Sequence, residues 1–140
     1  MNKKLLLIYT GDQVAHRVDK GFVNGTTTER ALMLIRSTCQ AVQKVFPDKP
    51  FLPSFGNNDL PGNYMLPDNS SFYESVLKIW KPLILCGKCQ LKVTTEKELE
   101  ESFLKGGYYK ADIKCKCWFL SCYKLYNRII IMIQNAFHLS

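Results

Sequence analysis

The order of apolar and polar positions in the first third of the chain predicts a β-α-β unit. Residues 5–9 form a continuous apolar run, which is typical of a strand buried on both faces of a parallel sheet. Apolar residues then recur at three- and four-residue steps and predict an amphipathic helix over residues 28–45, preceded by threonines that can cap it. Pro47 and Pro50 end this helix, and residues 51–55 are predicted as the second strand.

The rest of the chain predicts two more helices and further β structure. After a loop rich in Gly, Pro, Asn and Asp, a helix begins at a serine cap and stops near Pro82. The next helix begins with a capping box at Thr95 and ends at the glycines 106–107. Residues 108–120 have β character, whereas the apolar residues 126–140 show no clear amphipathic periodicity. The predicted fold class is α/β, without a repeat or linker that would separate a second domain.

Polar residues follow both strands of the β-α-β unit at the point where each strand ends. The first strand runs into Gly-Asp, ending at Asp12, and the second runs into Gly-Asn-Asn-Asp at residues 56–59. Ligands of open α/β sheets bind beyond the carboxyl ends of the strands. An Asp carboxylate can bridge two cations and an Asn oxygen can bind one, so Asp12 and Asn57 are candidate metal ligands, and His16 can bind a phosphate or a metal. Ordinary turn chemistry explains the same residues, and both interpretations stay open.

Three segments, in this order, carry a resemblance to a known family. "IYTGDQVAH", "FLPSFGNNDLPGNY" and "FLKGGYYKADI" resemble the acid sphingomyelinase-like phosphodiesterases, a branch of the calcineurin-like metallophosphoesterase superfamily. The resemblance covers residues 5–113. It implies a partial metallophosphoesterase domain over residues 1–113, built as an αββα sandwich truncated at both ends, and a divergent basic and apolar tail over residues 114–140. It also implies two divalent metal ions, usually zinc, that activate a bridging water for attack on a phosphodiester or polyphosphate.

The resemblance assigns roles to four residues. Asp12 corresponds to the metal-bridging carboxylate, Asn57 to a ligand of the second ion, and His16 to a histidine near the substrate phosphate. Asn58 stands where most members have the histidine that protonates the leaving oxygen, and an amide cannot act as that acid. The Gly-Asn-Asn-Asp variant is similar to that of the endopolyphosphatases, whose leaving group is a phosphate and has less need of an acid.

Several family motifs have no counterpart in this sequence. An Asp-x-His motif is expected upstream of residue 5 and a Gly-His-x-His motif downstream of residue 113, and neither is present. Asp12, Asn57 and His16 are too few ligands for two ions. The sequence therefore predicts that this chain is inactive by itself, and a non-catalytic remnant of a phosphoesterase is one alternative.

A second alternative uses four of the six cysteines. Cys86 and Cys89 have zinc-knuckle spacing, and Cys115 and Cys117 add two thiolates, so a small zinc-stabilised module that binds nucleic acid or protein is possible. This interpretation leaves both strand-end motifs unexplained. Cys39 lies on the apolar face of the first helix and is predicted to pack there.

Charge and targeting signals limit the partners only weakly. The net charge is +7, and the chain from residue 105 onward contains six basic residues and one acidic residue. A basic end can favour a polyanion, but a solvated basic surface is the favoured explanation, and no specific nucleic-acid partner is expected. The sequence shows no transmembrane segment and no signal peptide. The family that the sequence resembles is usually secreted, lysosomal or vacuolar. The sequons at Asn24 and Asn69 would be glycosylated only on a secretory path. The sequence therefore leaves the localisation open.

Overall fold

The computed structural model of the chain describes residues 6–14, 26–60, 67, 70–86, 94–115 and 127–133, with side chains described up to residue 111. These residues form three helices and four strands. In chain order they are β1 (Leu7–Tyr9), α1 (Thr27–Val45), β2 (Phe51–Pro53), α2 (Ser71–Leu85), α3 (Glu96–Gly106), β3 (Tyr109–Cys115) and β4 (Asn127–Ile133). The mixed α/β class is therefore confirmed, whereas the αββα sandwich stays a prediction.

The predicted β-α-β unit is present. Strands β1 and β2 pair in parallel, with Leu7 opposite Phe51 and Tyr9 opposite Pro53. The pairing continues one residue further, because the Ser54 amide donates to the Tyr9 carbonyl over 2.9 Å. Each strand has three residues, shorter than the pattern predicts. The polar segments after the two strands consequently begin side by side.

Capping boxes begin two of the helices: the sequence predicts the box at Thr95, and at α1 it predicts a threonine cap without the reciprocal glutamate. At the start of α1 the Thr26 hydroxyl accepts a hydrogen bond from the Glu29 amide, and the Glu29 carboxylate accepts one from the Thr26 amide. Thr95 and Glu98 make the same reciprocal pair at the start of α3. Gly107 ends α3 in the left-handed conformation, with φ of 68°, which glycine adopts without a steric penalty.

Helix α2 is longer than the sequence predicts, because it does not stop near Pro82. It continues to Leu85, and the Pro82 carbonyl accepts a hydrogen bond from the Cys86 amide over 3.2 Å. Proline removes one backbone donor and crowds the carbonyl four residues earlier, but Leu83 and Ile84 beyond it are buried in the core. Burial of these two side chains favours the additional turn.

An aromatic cluster forms the centre of the core beneath the strand ends. The ring centroid of Phe55 lies 4.6 Å from that of Trp80, and Phe103 lies 5.6 Å from Trp80. The buried Tyr109 hydroxyl donates to the Pro53 carbonyl over 2.8 Å, which connects β3 to the end of β2. Helices α1, α2 and α3 contribute further buried apolar side chains, among them Ala31, Ile35, Val76, Leu77, Ile84 and Leu99.

Strands β3 and β4 form an antiparallel pair that the sequence predicts only in part. Tyr109 lies opposite Ile133, and Cys115 lies opposite Asn127. The β character of β3 is confirmed, whereas β4 was not predicted, because a continuous apolar run has no period that distinguishes strand from helix. β3 crosses residue 113, and the domain boundary placed there stays a prediction. Among the described residues, no helix is both long and apolar enough to cross a membrane.

Candidate metal and phosphate site at the strand ends

Two glycines bring the loops after β1 and β2 into backbone contact. A Cβ atom on Gly11 would overlap the backbone of Gly56, and a Cβ on Gly56 would overlap the backbone and carboxylate of Asp12. Gly11 also has a φ of 103°, which side-chain-bearing residues rarely adopt. Neither position has room for a side chain. The sequence points to glycines in turns, but their contact with each other is visible only in the structure.

Asp12 lies exposed at this contact, in an uncommon backbone conformation. Its φ is 58°, in the left-handed region that few residues other than glycine adopt. Its Oδ1 accepts a hydrogen bond from the Asn58 amide over 3.2 Å, and its carbonyl accepts a 3.5 Å hydrogen bond from the Tyr9 hydroxyl. The left-handed turn thus holds the predicted ligand beside the loop after β2, with its carboxylate accessible to solvent.

Asn57 and Asn58 orient each other's amide groups. The Asn57 Nδ2 donates to the Asn58 Oδ1 over 3.0 Å. This hydrogen bond leaves the Asn57 oxygen as the atom that can bind a cation and the Asn58 Nδ2 as the atom that can donate to an anion. The Asn58 side chain is 7% exposed, so little solvent competes for that donor. The structure therefore brings three of the four predicted site residues together: Asp12, Asn57 and Asn58.

Asp59 belongs to this cluster as well, although its place in the sequence predicts no role for it. Its side chain is fully buried, and its two oxygens accept from two loops: Oδ1 from the Val14 amide and Oδ2 from the Gly56 amide, each over 2.8 Å. Burial raises the pKa of Asp59, and backbone amides, those of Gly56 and Val14 foremost, oppose the shift. A carboxylate that ends a polar motif is indistinguishable in sequence from an exposed turn residue, so no signal marked it.

Two of the described residues, Asp12 and Asn57, carry the side-chain oxygens that the sequence predicts as metal ligands. Asp12 and Asn57 offer oxygen atoms of the kind that hard cations bind, whereas a zinc ion takes four ligands. Among the described residues, no group of three or more His, Cys, Asp or Glu side chains surrounds a common point. His16 lies outside the described residues, so its place near the phosphate stays a prediction, as do the two metal ions.

The cysteines that the structure describes do not assemble the alternative zinc module. Cys86 is disulfide-bonded, and a disulfide sulfur is not a thiolate. Cys39 is free and buried, as predicted, with its thiol donating to the Gln13 oxygen over 3.9 Å. Burial raises the pKa of Cys39 to about 12, which keeps it protonated. Other predicted residues lie outside the described residues or side chains: Cys89, Cys115, Cys117 and the sequon residues Asn24 and Asn69.

Comparison with known proteins shows a distant similarity to two phosphodiesterases. No family model matches the chain. It is 26% identical over 103 residues to sphingomyelin phosphodiesterase A of Dictyostelium discoideum, covering 72% of this chain and 16% of that protein. It is also 26% identical over 108 residues to cyclic GMP-AMP phosphodiesterase SMPDL3A of Homo sapiens, covering 76% of this chain and 20% of that protein.

These similarities support a distant relationship to phosphoesterases. The matched length of 103 to 108 residues agrees with the extent of the resemblance found in the sequence, residues 5–113. The chain spans a fifth or less of the length of either relative. The activity of a whole phosphodiesterase therefore comes to this chain only as a proposal.

Proposed function

We propose that the edge formed by the loops after β1 and β2 binds a divalent cation together with a phosphoryl group, as part of a metallophosphoesterase-type site. The observation that carries this proposal is the position of Asn58. Its backbone amide donates to Asp12, and its side chain accepts from Asn57, so one residue links both proposed ligands. Plain turns do not need this link, because each loop could satisfy its own polar groups.

Each residue of the edge has a distinct task in this proposal. Asp12 and Asn57 hold the cation, which when bound supplies a Lewis acid and an activated water. Asn58 donates a hydrogen bond to a phosphoryl oxygen and compensates negative charge that develops there. His16 is proposed to lie near the same phosphate.

The chemistry of Asn58 bears on the substrate class. An amide orients and hydrogen-bonds a phosphoryl group but provides no proton for a leaving oxygen. A phosphate leaving group needs that proton less than an alkoxide does, so the site suits a phosphoanhydride such as polyphosphate better than an alkyl phosphodiester. The named relatives act on phosphodiesters. The substrate class is therefore proposed as phosphodiester or polyphosphate, and Asn58 favours the second.

Binding rather than turnover is the activity proposed for this chain by itself. Two-metal hydrolysis requires a complete set of ligands around both ions. The two oxygen ligands of the described residues can give a weak site for one cation. We propose that hydrolysis requires further ligands of the kind that the longer relatives have room to provide.

The experiment that tests this proposal is a titration of the 140-residue chain with Mn²⁺, followed by amide signals in ¹H–¹⁵N spectra. The paramagnetic ion is expected to broaden the signals of residues 11–12 and 56–58 first. Tripolyphosphate added next is expected to shift the Asn58 side-chain signals more strongly than bis(p-nitrophenyl) phosphate does.

Asp48 provides the matched control. Asp12 and Asp48 are both exposed and have nearly equal left-handed φ values, 58° and 62°, a conformation that asparagine tolerates well. Asp12→Asn is expected to abolish the selective broadening, whereas Asp48→Asn leaves it unchanged. Broadening spread evenly over surface carboxylates, or equal in both variants, would contradict the proposed cation site.

A further inference from the structure

We propose that Asp59 is a positioning residue that holds the loops after β1 and β2 in register, so that Asp12 and Asn57 can bind one cation. This inference rests on the proposed function, because it concerns the same site. It assigns to Asp59 neither a contact with the ion nor a contact with the substrate. Asp59 acts through the two backbone segments to which it is bound.

The burial of Asp59 separates it from the ligands. Its side chain is fully buried, whereas Asp12 is exposed. Both carboxylate oxygens already accept amide hydrogens at 2.8 Å, one from Val14 and one from Gly56. A carboxylate whose two oxygens are both hydrogen-bonded and which is closed to solvent is poorly placed to coordinate an ion. It is well placed to fix the backbone that carries the ligands.

The two amides bound by Asp59 lie directly beside the proposed ligands. Val14 is two residues after Asp12, and Gly56 is immediately before Asn57. The link to Val14 spans 45 positions of sequence, so it joins the two loops rather than closing one turn. Together with the Asn58 amide on Asp12, it makes a second hydrogen bond between the loops. The register of the two ligands thus depends on a residue that touches neither ligand side chain by a described contact.

A carboxylate is the group that this position requires. Both of its oxygens accept hydrogen bonds, and charge-assisted hydrogen bonds are stronger than neutral ones. An asparagine of nearly the same shape has one acceptor and one donor, so one backbone amide would face an NH₂ group and lose its partner. Asp59→Asn therefore changes the hydrogen bonding of the two loops with little change in side-chain volume. This makes it a sharper probe than a truncation.

The test compares the Mn²⁺ affinity of the wild-type chain with that of Asp59→Asn and of Val76→Ala, a cavity variant in the core. Val76 is fully buried in α2, so this control lowers stability without touching either loop. All three proteins are measured where circular dichroism shows them folded.

Loss of an outer-shell partner typically weakens metal binding about 10- to 100-fold, and that is the change expected for Asp59→Asn. Val76→Ala is expected to bind Mn²⁺ like wild type. Amide hydrogen exchange is expected to accelerate at whichever of Val14 and Gly56 loses its acceptor, and only in Asp59→Asn.

The outcomes separate this inference from the proposed function. An Asp59→Asn chain that melts earlier but binds Mn²⁺ like Val76→Ala would show a merely structural role and overturn the inference. If the wild-type chain shows no selective Mn²⁺ binding, the proposed cation site fails. Amide exchange at Val14 and Gly56 then still decides whether Asp59 holds the loops, and unchanged exchange in Asp59→Asn overturns that too. If Asp59→Asn does not fold, the two hydrogen bonds are tested in the wild-type protein instead. Through-hydrogen-bond NMR couplings are then measured from the amide nitrogens of Val14 and Gly56 to the carboxylate carbon of Asp59. The absence of these couplings would contradict the inference.

Discussion

Replacement of Gly56 by alanine should destabilise the protein, although alanine is normally the more stabilising residue. Gly56 does not have a left-handed φ, so its φ does not by itself exclude a side chain. The added methyl group, however, would overlap both the backbone nitrogen and the carboxylate of Asp12. The carboxylate can rotate away, but the backbone cannot move without separating β1 from β2. The effect of the substitution is therefore steric.

The loss of stability expected for Gly56→Ala is the difference between two opposing effects. Overpacking of a well-packed site costs about 1–3 kcal/mol. The reduced freedom of the unfolded chain returns about 0.4–1 kcal/mol when glycine becomes alanine. We expect Gly56→Ala to lower the free energy of unfolding by about 1–2 kcal/mol and the melting temperature by roughly 3–8 °C. Urea denaturation followed by far-ultraviolet circular dichroism measures the first quantity, and a thermal scan measures the second.

Gly106→Ala is the matched control for this substitution. Gly106 is the last residue of α3, and a Cβ there would lie 3.2 Å from ring atoms of Tyr108, a side chain that can shift slightly. Alanine is favoured over glycine in helices by about 1 kcal/mol, so this variant should be as stable as wild type or more so. A Gly56→Ala variant as stable as Gly106→Ala would refute the close approach of the two loops.

Three further predictions concern other parts of the structure. Tyr109→Phe removes the buried hydrogen bond to the Pro53 carbonyl and should cost about 1 kcal/mol in urea denaturation; no loss would contradict this bond. Hydrogen bonds from Thr95 lower the pKa of Glu98 below 4.5, so the capping box stabilises α3 above that pH and loses its effect as the pH falls. Thr95→Ala should accordingly flatten the dependence of stability on pH between about pH 5 and 3, and an unchanged slope would argue against the capping box. With its pKa raised to about 12, Cys39 should resist iodoacetamide at neutral pH until the chain unfolds, as peptide mapping would show, and labelling in the native state would contradict its burial.

The parts of the fold that follow from local sequence were predictable. The caps at Thr26 and Thr95 and the terminating Gly107 depend on residues within one turn, and the structure confirms all three. The parallel pairing of β1 and β2 also followed, because apolar runs on both sides of an amphipathic helix favour a β-α-β unit. Helix α2 was predicted too short, since the proline rule considers the backbone and not the burial of the residues that follow.

The candidate site was predictable in its residues but not in its construction. The sequence identifies Asp12, Asn57 and Asn58 as candidates because they are polar residues that directly follow two apolar strands. The contact between Gly11 and Gly56 and the double hydrogen bonding of Asp59 join positions about 45 residues apart. No local pattern encodes the distance between two loops. Sequence reasoning therefore selects candidate groups for the chemistry but does not reveal the contacts of Gly11, Gly56 and Asp59 that join the two loops.

The loop after β2 is anchored from two sides, and the two anchors differ in kind. Phe55, the residue before Gly56, packs against Trp80 and Phe103, with ring centroids 4.6 and 5.8 Å away, and so ties the loop to the core. Asp59 ties the same loop to the segment after β1 through directed hydrogen bonds. Apolar packing is non-directional, whereas a hydrogen bond weakens steeply away from its preferred geometry. The core should therefore determine how stable the loop is, and Asp59 how it is oriented. A cation held by few oxygen ligands depends on orientation, so the residues that matter most for binding need not be those that matter most for stability.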